Sequence, residues 1–295
     1  MRIAIAGSSG FIGSELIKKL TLDGHEIIKL KRSLVGLKGN DVYFNYKEKV
    51  VSRERLENLD ALINLAGDNI ANGRWTKQKK EEIYDSRIES CKFLTSTIKQ
   101  LKNPPPVILS ASAIGYYGNR GQELLNEVSE KGKGFLAKVC EDWEESINPL
   151  SEISRVVNLR FGLVLSKEGG PLKKMLLPFK LGLGGRLGSG SQLMSWISCR
   201  DLISGILFCL ENKNILGPVN FVTTEAISNS DFTKALATSL KRPAFFHVPS
   251  FILKLLLGEM AEELLLSSTK VEPKKLTNSG FKFQDTDLTS YLAEI

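Results

Sequence analysis

Gly7, Gly10 and Gly13 recur at three-residue spacing, with Ser9, Phe11 and Ile12 between them, directly after the apolar run 2–6 (RIAIA). A glycine-rich turn between a strand and a helix can hold a dinucleotide pyrophosphate. Gly7 permits the tight turn, Gly10 lets the backbone approach the phosphates, and Gly13 lets the helix pack closely on the strand. The helix that follows, expected over 14–22, then offers free N–H groups and a partial positive charge to the anion. The second chemical signal is Lys31-Arg32-Ser33, at the end of a second strand expected over 25–30. A carboxylate at that place would bond a ribose 2′-hydroxyl and favour NAD. Two cations and a hydroxyl suit a 2′-phosphate instead, which points to NADP.

Positioning these groups requires a strand-and-helix alternation, and the rest of the chain supplies it. A third strand is expected over 41–45 and a fourth over 61–65 (ALINL), the latter running from Leu65 into Ala66-Gly67, where small residues let the backbone lie against a cofactor. A long helix is expected over 77–99. The prolines at 104–106 end that segment and launch a strand over 107–109, into Ser110-Ala111-Ser112. A helix over 135–146 and a single strand within 154–165 follow. This order implies an α/β fold: a Rossmann-type, doubly wound parallel sheet with right-handed crossovers. From residue 166 glycines cluster at 169–170, 182, 184–185, 188 and 190, around a helix expected over 171–181. A helix over 200–211 and a strand over 218–222 return to the sheet, and Ser228 or Asn229 caps a helix reaching residue 240. The division expected is a dinucleotide-binding domain, 1–165 with 197–223, and a smaller α/β substrate lobe, 166–196 with 224–295.

Composition narrows the function classes. The 42% hydrophobic and 25% charged fractions are those of an ordinary globular protein. The net charge of +7 is spread along the chain without a nucleic-acid reader motif, so no nucleic-acid partner is expected. Cys91, Cys140, Cys199 and Cys209 show no close pairing, which suits a reducing compartment better than disulfides or a metal site. The chain enters its first strand at once, leaving no room for a targeting peptide, and a cytoplasmic location is the expectation. The longest apolar stretch, 251–266, is broken by Lys254, Gly258, Glu259, Glu262 and Glu263, so no membrane span is expected.

With GSSGFIG, LINLAG followed by NGRW, DSRIES, SASAIGYYG, FLAKVCEDWE, LRFGLVLSKEGG, LGLGGRLGSGSQLMSWI and GFKF in place, the chain resembles the extended short-chain dehydrogenase/reductases. Within them it is similar to the NAD(P)-dependent epimerase/dehydratase family, in the atypical "cell-division inhibitor-like" subgroup. That resemblance implies a Ser, Tyr and Lys as catalytic groups, the Tyr acting as acid or base. Ser112 matches the Ser. Alignment on Glu144 puts Leu136 at the Tyr position and Cys140 at the Lys position, and neither can do those jobs. Tyr116 and Tyr117 are the nearest phenols to Ser112, and Tyr116 is taken with Ser112 as the catalytic candidate. Glu82 and Arg87 fall on the helix that in related folds crosses near the cofactor, Arg87 toward the pyrophosphate and Glu82 toward a sugar hydroxyl. Ser110, Ala111, Leu163 and Val164 are expected to line the nicotinamide pocket.

In the second lobe Arg186, Gln192, Trp196 and Arg200 surround the glycine loop as candidate substrate contacts, Trp196 reading either as platform or as core. Arg74 and Trp75 are candidates for a lid. The implied activity is an NADP-dependent oxidoreductase or epimerase-like reaction on an unidentified small metabolite, by a monomer or homodimer. The alternative is a non-catalytic NADP-binding regulatory or partner-binding protein, with a link to cell or organelle division.

Overall fold

The structure is a computed structural model describing residues 1–295. Its centre is an eight-stranded sheet: β1 (Arg2–Ala6), β2 (Glu26–Lys31), β3 (Val42–Asn45), β4 (Val50–Val51), β5 (Ala61–Asn64), β6 (Val107–Ala113), β7 (Arg155–Phe161) and β8 (Gly217–Phe221). They lie in the order β8-β7-β6-β5-β1-β2-β3-β4, parallel throughout except that β4 is antiparallel to β3. Alternation along each strand feeds two cores. Ala4, Ala6, Leu62, Ile108 and Val156 face one layer of helices, and Ile3, Ile5, Ile63, Leu109 and Val157 face the other. Because both faces are covered, the strands read as continuous apolar runs. Strand order reverses between β1 and β5, which leaves a crevice at their carboxyl ends.

Three expected elements are divided or extended by contacts remote in sequence. The helix expected over 77–99 is two, α2 (Lys77–Asp85) and α3 (Ile88–Ile98). At the break the Ser86 hydroxyl donates to the Ile83 carbonyl and accepts from the Asp68 N–H, 3.0 Å away in the loop after β5. The strand expected within 154–165 is also two, β7 and Leu163–Leu165, separated at Gly162. There a Cβ would meet the Ser195 carbonyl oxygen at 2.7 Å, as the chain leaves the sheet to pair with Trp196–Ser198. β6 outruns its expected end by four residues because its partner β7 holds it through Ala113.

The second lobe has its own core, in which Leu165, Leu172, Phe179, Trp196, Phe232, Leu236 and Leu292 pack together. Segment 224–295 is not confined to that lobe, since Leu276 and Phe281 join the core on the α1 (Phe11–Leu22) side of the sheet. A buried carboxylate fixes this return: Asp201 accepts the Gln284 and Asp285 N–H groups at 2.9 Å each. Trp196 is 1% exposed and lies against Tyr291 with ring centroids 5.8 Å apart, so it has no face left for a substrate. That corrects the platform reading, and the reason is local. Trp196 stands on a strand between the lobe's helices, where an aromatic of its volume fills the core. Trp196→Ala should cost about 3–5 kcal/mol of stability, measured by denaturant unfolding followed through far-UV circular dichroism.

Candidate functional site

At the crevice, β1 runs into Gly7, whose φ of +76 and contact distance both demand glycine. A Cβ there would sit 2.5 Å from the Leu65 backbone. A Cβ at Gly13 would meet the Gly7 carbonyl oxygen at 2.3 Å, so α1 packs directly on the turn. Gly10 differs: its Cβ would approach only Gly7 O, at 3.3 Å, and otherwise face open space. Ser9 and Gly10 are exposed at the mouth of the turn. Behind it, Phe11 is covered by Gly169, where a Cβ would collide with the ring at 2.2 Å. The turn thus presents bare backbone and the N-terminus of α1 outward, a cradle for an anion.

The three residues ending β2 divide their work. Lys31 is bound to Asp41 at 2.7 Å and donates to the Gly36 carbonyl at 2.8 Å. Against burial, which would raise it, Lys31 holds the Asp41 carboxyl below its usual range. Arg32 is exposed and makes no ion pair, and the Ser33 hydroxyl is engaged only by the Val35 N–H at 3.1 Å. Arg32 is therefore the free cation of the set.

Across the crevice, Leu65, Ala66 and Gly67 leave β5 beside Arg87. The Asn64 side chain turns the chain by accepting from the Ala66 N–H at 3.3 Å and bonds Ser110 at 3.3 Å. The Arg87 guanidinium lies against Gly67, donates to the Asp68 and Ile83 carbonyls at 2.9 and 3.1 Å, and stacks over Trp143 at 5.1 Å. It has no carboxylate within ion-pair distance. Glu82 is exposed and held by Gln78 and Lys79 on its own helix, and Lys79 also pairs with Asp68. Leu163 is half-buried and Val164 is buried where the chain crosses from β7 to the second lobe.

Ser112 is buried, and its hydroxyl donates to Glu144 at 2.7 Å. Glu144, on α4 (Phe135–Ile147), grips the Arg160 guanidinium with both oxygens at 2.8 Å. Arg160 in turn donates to the Tyr117 hydroxyl at 2.9 Å, and Tyr117 donates to Asn220 at 2.7 Å. The face of the guanidinium lies 3.6 Å from the Tyr116 ring centroid. Burial would lower the Arg160 pKa, but the bonds to Glu144 raise it, so the guanidinium stays charged. Burial also pushes the Tyr117 phenol up to about 12 despite Arg160. Tyr117 is a structural strut, whereas the half-buried Tyr116 has a hydroxyl with no hydrogen bond inside the chain. Glu144 and Arg160 were not read as site residues from the sequence, and Tyr117 was weighed only beside Tyr116 as a phenol near Ser112. The available signal was Arg160 itself, a charge set between Leu159 and Phe161 in a mostly apolar parallel strand, which must find a buried partner.

The face of α4 where the resemblance places Tyr and Lys is packed shut. Leu136 and Cys140 are both under 10% exposed and abut Gly115, in the turn Ile114–Tyr117. Burial first, then the Glu144 charge, pushes the Cys140 thiol up to about 12. At the start of α4, the Phe135 and Leu136 N–H groups each donate at 2.7 Å to Glu263, a cap delivered from the far end of the chain. In the second lobe Gln192 is buried and donates to the Leu187 and Leu265 carbonyls at 3.0 Å, so it ties the glycine loop rather than offering its amide N–H to a ligand. Arg186 is exposed on the short strand Gly185–Leu187, and Arg200 is taken up by Asp285 and Glu294. Of the expected lid, Trp75 is core, its ring edge-on to Phe135, and only Arg74, beside Gly258, is exposed.

Residues 3–221 match the NAD dependent epimerase/dehydratase family. The chain belongs to that family. Residues 248–295 match a further conserved unit described as a domain of unknown function (DUF1731). Among the relatives, the epimerase family protein Mb2239 of Mycobacterium bovis is 37% identical over 282 residues, covering 95% of this chain and 93% of its own. The epimerase family protein YfhF of Bacillus subtilis is 34% identical, covering 100% of this chain and 98% of its own. Among solved structures, human epimerase family protein SDR39U1 (isoform 2), crystallised with NADPH, superposes with a TM-score of 0.92 at 31% identity over 100% of this chain and 99% of its own.

Two outcomes check this geometry. Glu144→Ala strands a buried guanidinium and should cost about 3–5 kcal/mol of stability, read by chemical denaturation. Iodoacetamide on the native protein near pH 8 should spare Cys140, as peptide mass mapping would show, because burial keeps its thiol protonated.

Proposed function

We propose that the protein binds NADP(H), with the pyrophosphate on the Gly7–Gly13 turn and the 2′-phosphate on Arg32 and Ser33. The observation that carries this reading is Arg32. It is the one cation at the end of β2 left without a carboxylate, while its neighbour Lys31 is neutralised by Asp41. The open side of Gly10 supports it as a cradle that a Cβ would begin to fill. The NADPH bound to human SDR39U1 points the same way. Ser110, Ala111, Leu163 and Val164 then belong to the wall of the nicotinamide pocket, with Arg87 beside Gly67.

On this reading the protein is an oxidoreductase or epimerase-like enzyme for a small metabolite. When bound, the nicotinamide supplies or accepts a hydride. An alkoxide formed opposite it needs a proton, and Leu136 and Cys140 cannot provide one. Tyr116 is the phenol free to do so. Ser112, whose proton goes to Glu144, keeps lone pairs with which to orient a substrate hydroxyl. Arg74 and Arg186 are the exposed cations left to meet the substrate. A second reading, a non-catalytic NADP-binding protein, draws on the closed face of α4 at Leu136 and Cys140.

Calorimetry should find NADPH binding at least about tenfold tighter than NADH, since a charge-assisted bond contributes roughly 1.5–3 kcal/mol. Arg32→Ala should remove most of that preference with NADH affinity unchanged; equal affinities in the parent protein overturn the assignment. Fractionated metabolite extract should support NADPH oxidation that Tyr116→Phe abolishes. Oxidation that persists in Tyr116→Phe removes Tyr116 from the mechanism, and none in any fraction favours the non-catalytic reading.

A further inference from the structure

The second lobe presents a surface that cofactor binding leaves unused. Residues 169–199 contain no Asp or Glu but carry Lys173, Lys174, Lys180 and Arg186; residues 240–257 likewise contain none and carry Lys241, Arg242 and Lys254. Lys180, Lys241 and Arg242 are exposed and make no ion pair, while Lys254 meets Glu262 from beyond the stretch. The same two stretches hold Leu181, Leu183, Phe245, Phe246, Phe251 and Leu255, each between 54% and 90% exposed. Every exposed phenylalanine among the chain's open apolar side chains is in this group.

The two stretches lie side by side. Gly185–Leu187 pairs in parallel with Phe246–Val248, the Gly188 N–H donates to the Val248 carbonyl at 2.9 Å, and the helix Ser250–Leu257 starts two residues on. In that helix, SFILKLLL, Leu253 alone is buried, so a segment with the composition of a core helix has most of its circumference uncovered. Together these side chains expose several hundred Å², at or above the roughly 300–600 Å² of the largest patch on an ordinary monomer.

The occupant must be anionic and must also accept apolar side chains. A second copy meeting the same patch in a two-fold dimer would set cations against cations. A bilayer surface with acidic headgroups satisfies both demands: the phosphates take Lys180, Lys241 and Arg242, and the acyl boundary takes Phe245, Phe251 and the leucines. No helix is long and apolar enough to cross a membrane, so the contact is one of lying on the surface. We propose that this face of the second lobe docks the protein on an anionic lipid surface.

The test is flotation of the full chain with two kinds of vesicle, phosphatidylcholine alone and phosphatidylcholine with one third phosphatidylglycerol. The protein should float with the second and not the first, and raised salt should weaken the association. Lys241→Glu with Arg242→Glu, and separately Phe245→Ser with Phe251→Ser and Leu255→Ser, should each lower vesicle binding at least tenfold. Both sets lie on the surface, so an unchanged thermal melt certifies the fold. The proposal is overturned if the parent protein stays with the soluble fraction, or if both variants float as it does. It is also overturned if sedimentation shows a concentration-dependent dimer, lost in the serine variant, without vesicle binding. Retention on DNA that equals vesicle binding and survives the serine variant likewise sinks it, leaving only general polyanion affinity.

Discussion

A guanidinium buried near the carboxyl end of a parallel strand is the constraint around which the site is arranged. Removing a charge from water costs several kcal/mol even after relaxation, and the cost is offset only by a well-aligned opposite charge and further hydrogen bonds. Arg160 meets those conditions by bonding both oxygens of Glu144, donating to Tyr117, and laying its face on Tyr116. Its partners come from α4 and from the turn after β6, and Tyr117 extends the bonding to a third element. Glu144 brings α4 against the sheet, Tyr117 fixes the turn after β6, and Asn220 adds β8. Ser112 joins through Glu144, so its hydroxyl is oriented by a charge pair rather than by its own strand.

That arrangement accounts for what happens at α4. In a family whose chemistry is expected from a Tyr and a Lys on this helix, the corresponding positions here hold Leu136 and Cys140, pressed against Gly115. The apolar pair closes one side of the turn 114–117, and the Arg160 stack closes another. Tyr116 is left with its ring clamped and its hydroxyl free. The start of α4 is capped by Glu263, and the glycine loop is tied to the same C-terminal segment through Gln192 and the Leu265 carbonyl. The C-terminal unit therefore completes both the helix and the loop.

The alternation of strands and helices, the parallel sheet, the glycine turn and the cation-bearing end of β2 were all legible in the chain. Each is a local signal: a period of residues, a small residue where the backbone turns, a charge next to a strand end. What was missed had its cause elsewhere. The break between α2 and α3 depends on Asp68, 18 residues before Ser86. The division of labour between Lys31 and Arg32 depends on Asp41, across the neighbouring strand. Trp196 and Gln192 carried polar or aromatic groups beside flexible glycines and read as ligands for that reason. The packing around them shows one filling a core and the other holding backbone carbonyls.

The sequence by itself determined which backbone could approach a phosphate and which residues could pack a two-faced sheet, because both follow from side-chain size and polarity along consecutive positions. Only the tertiary structure decided which charges remain available. Lys31, Arg160 and Arg200 were cations in the chain on equal terms with Arg32, and folding neutralised each of them with a carboxylate 10, 16 and 85 residues away. An ion pair of that span has no periodicity to announce it, since its existence depends on where two separate elements are laid against each other.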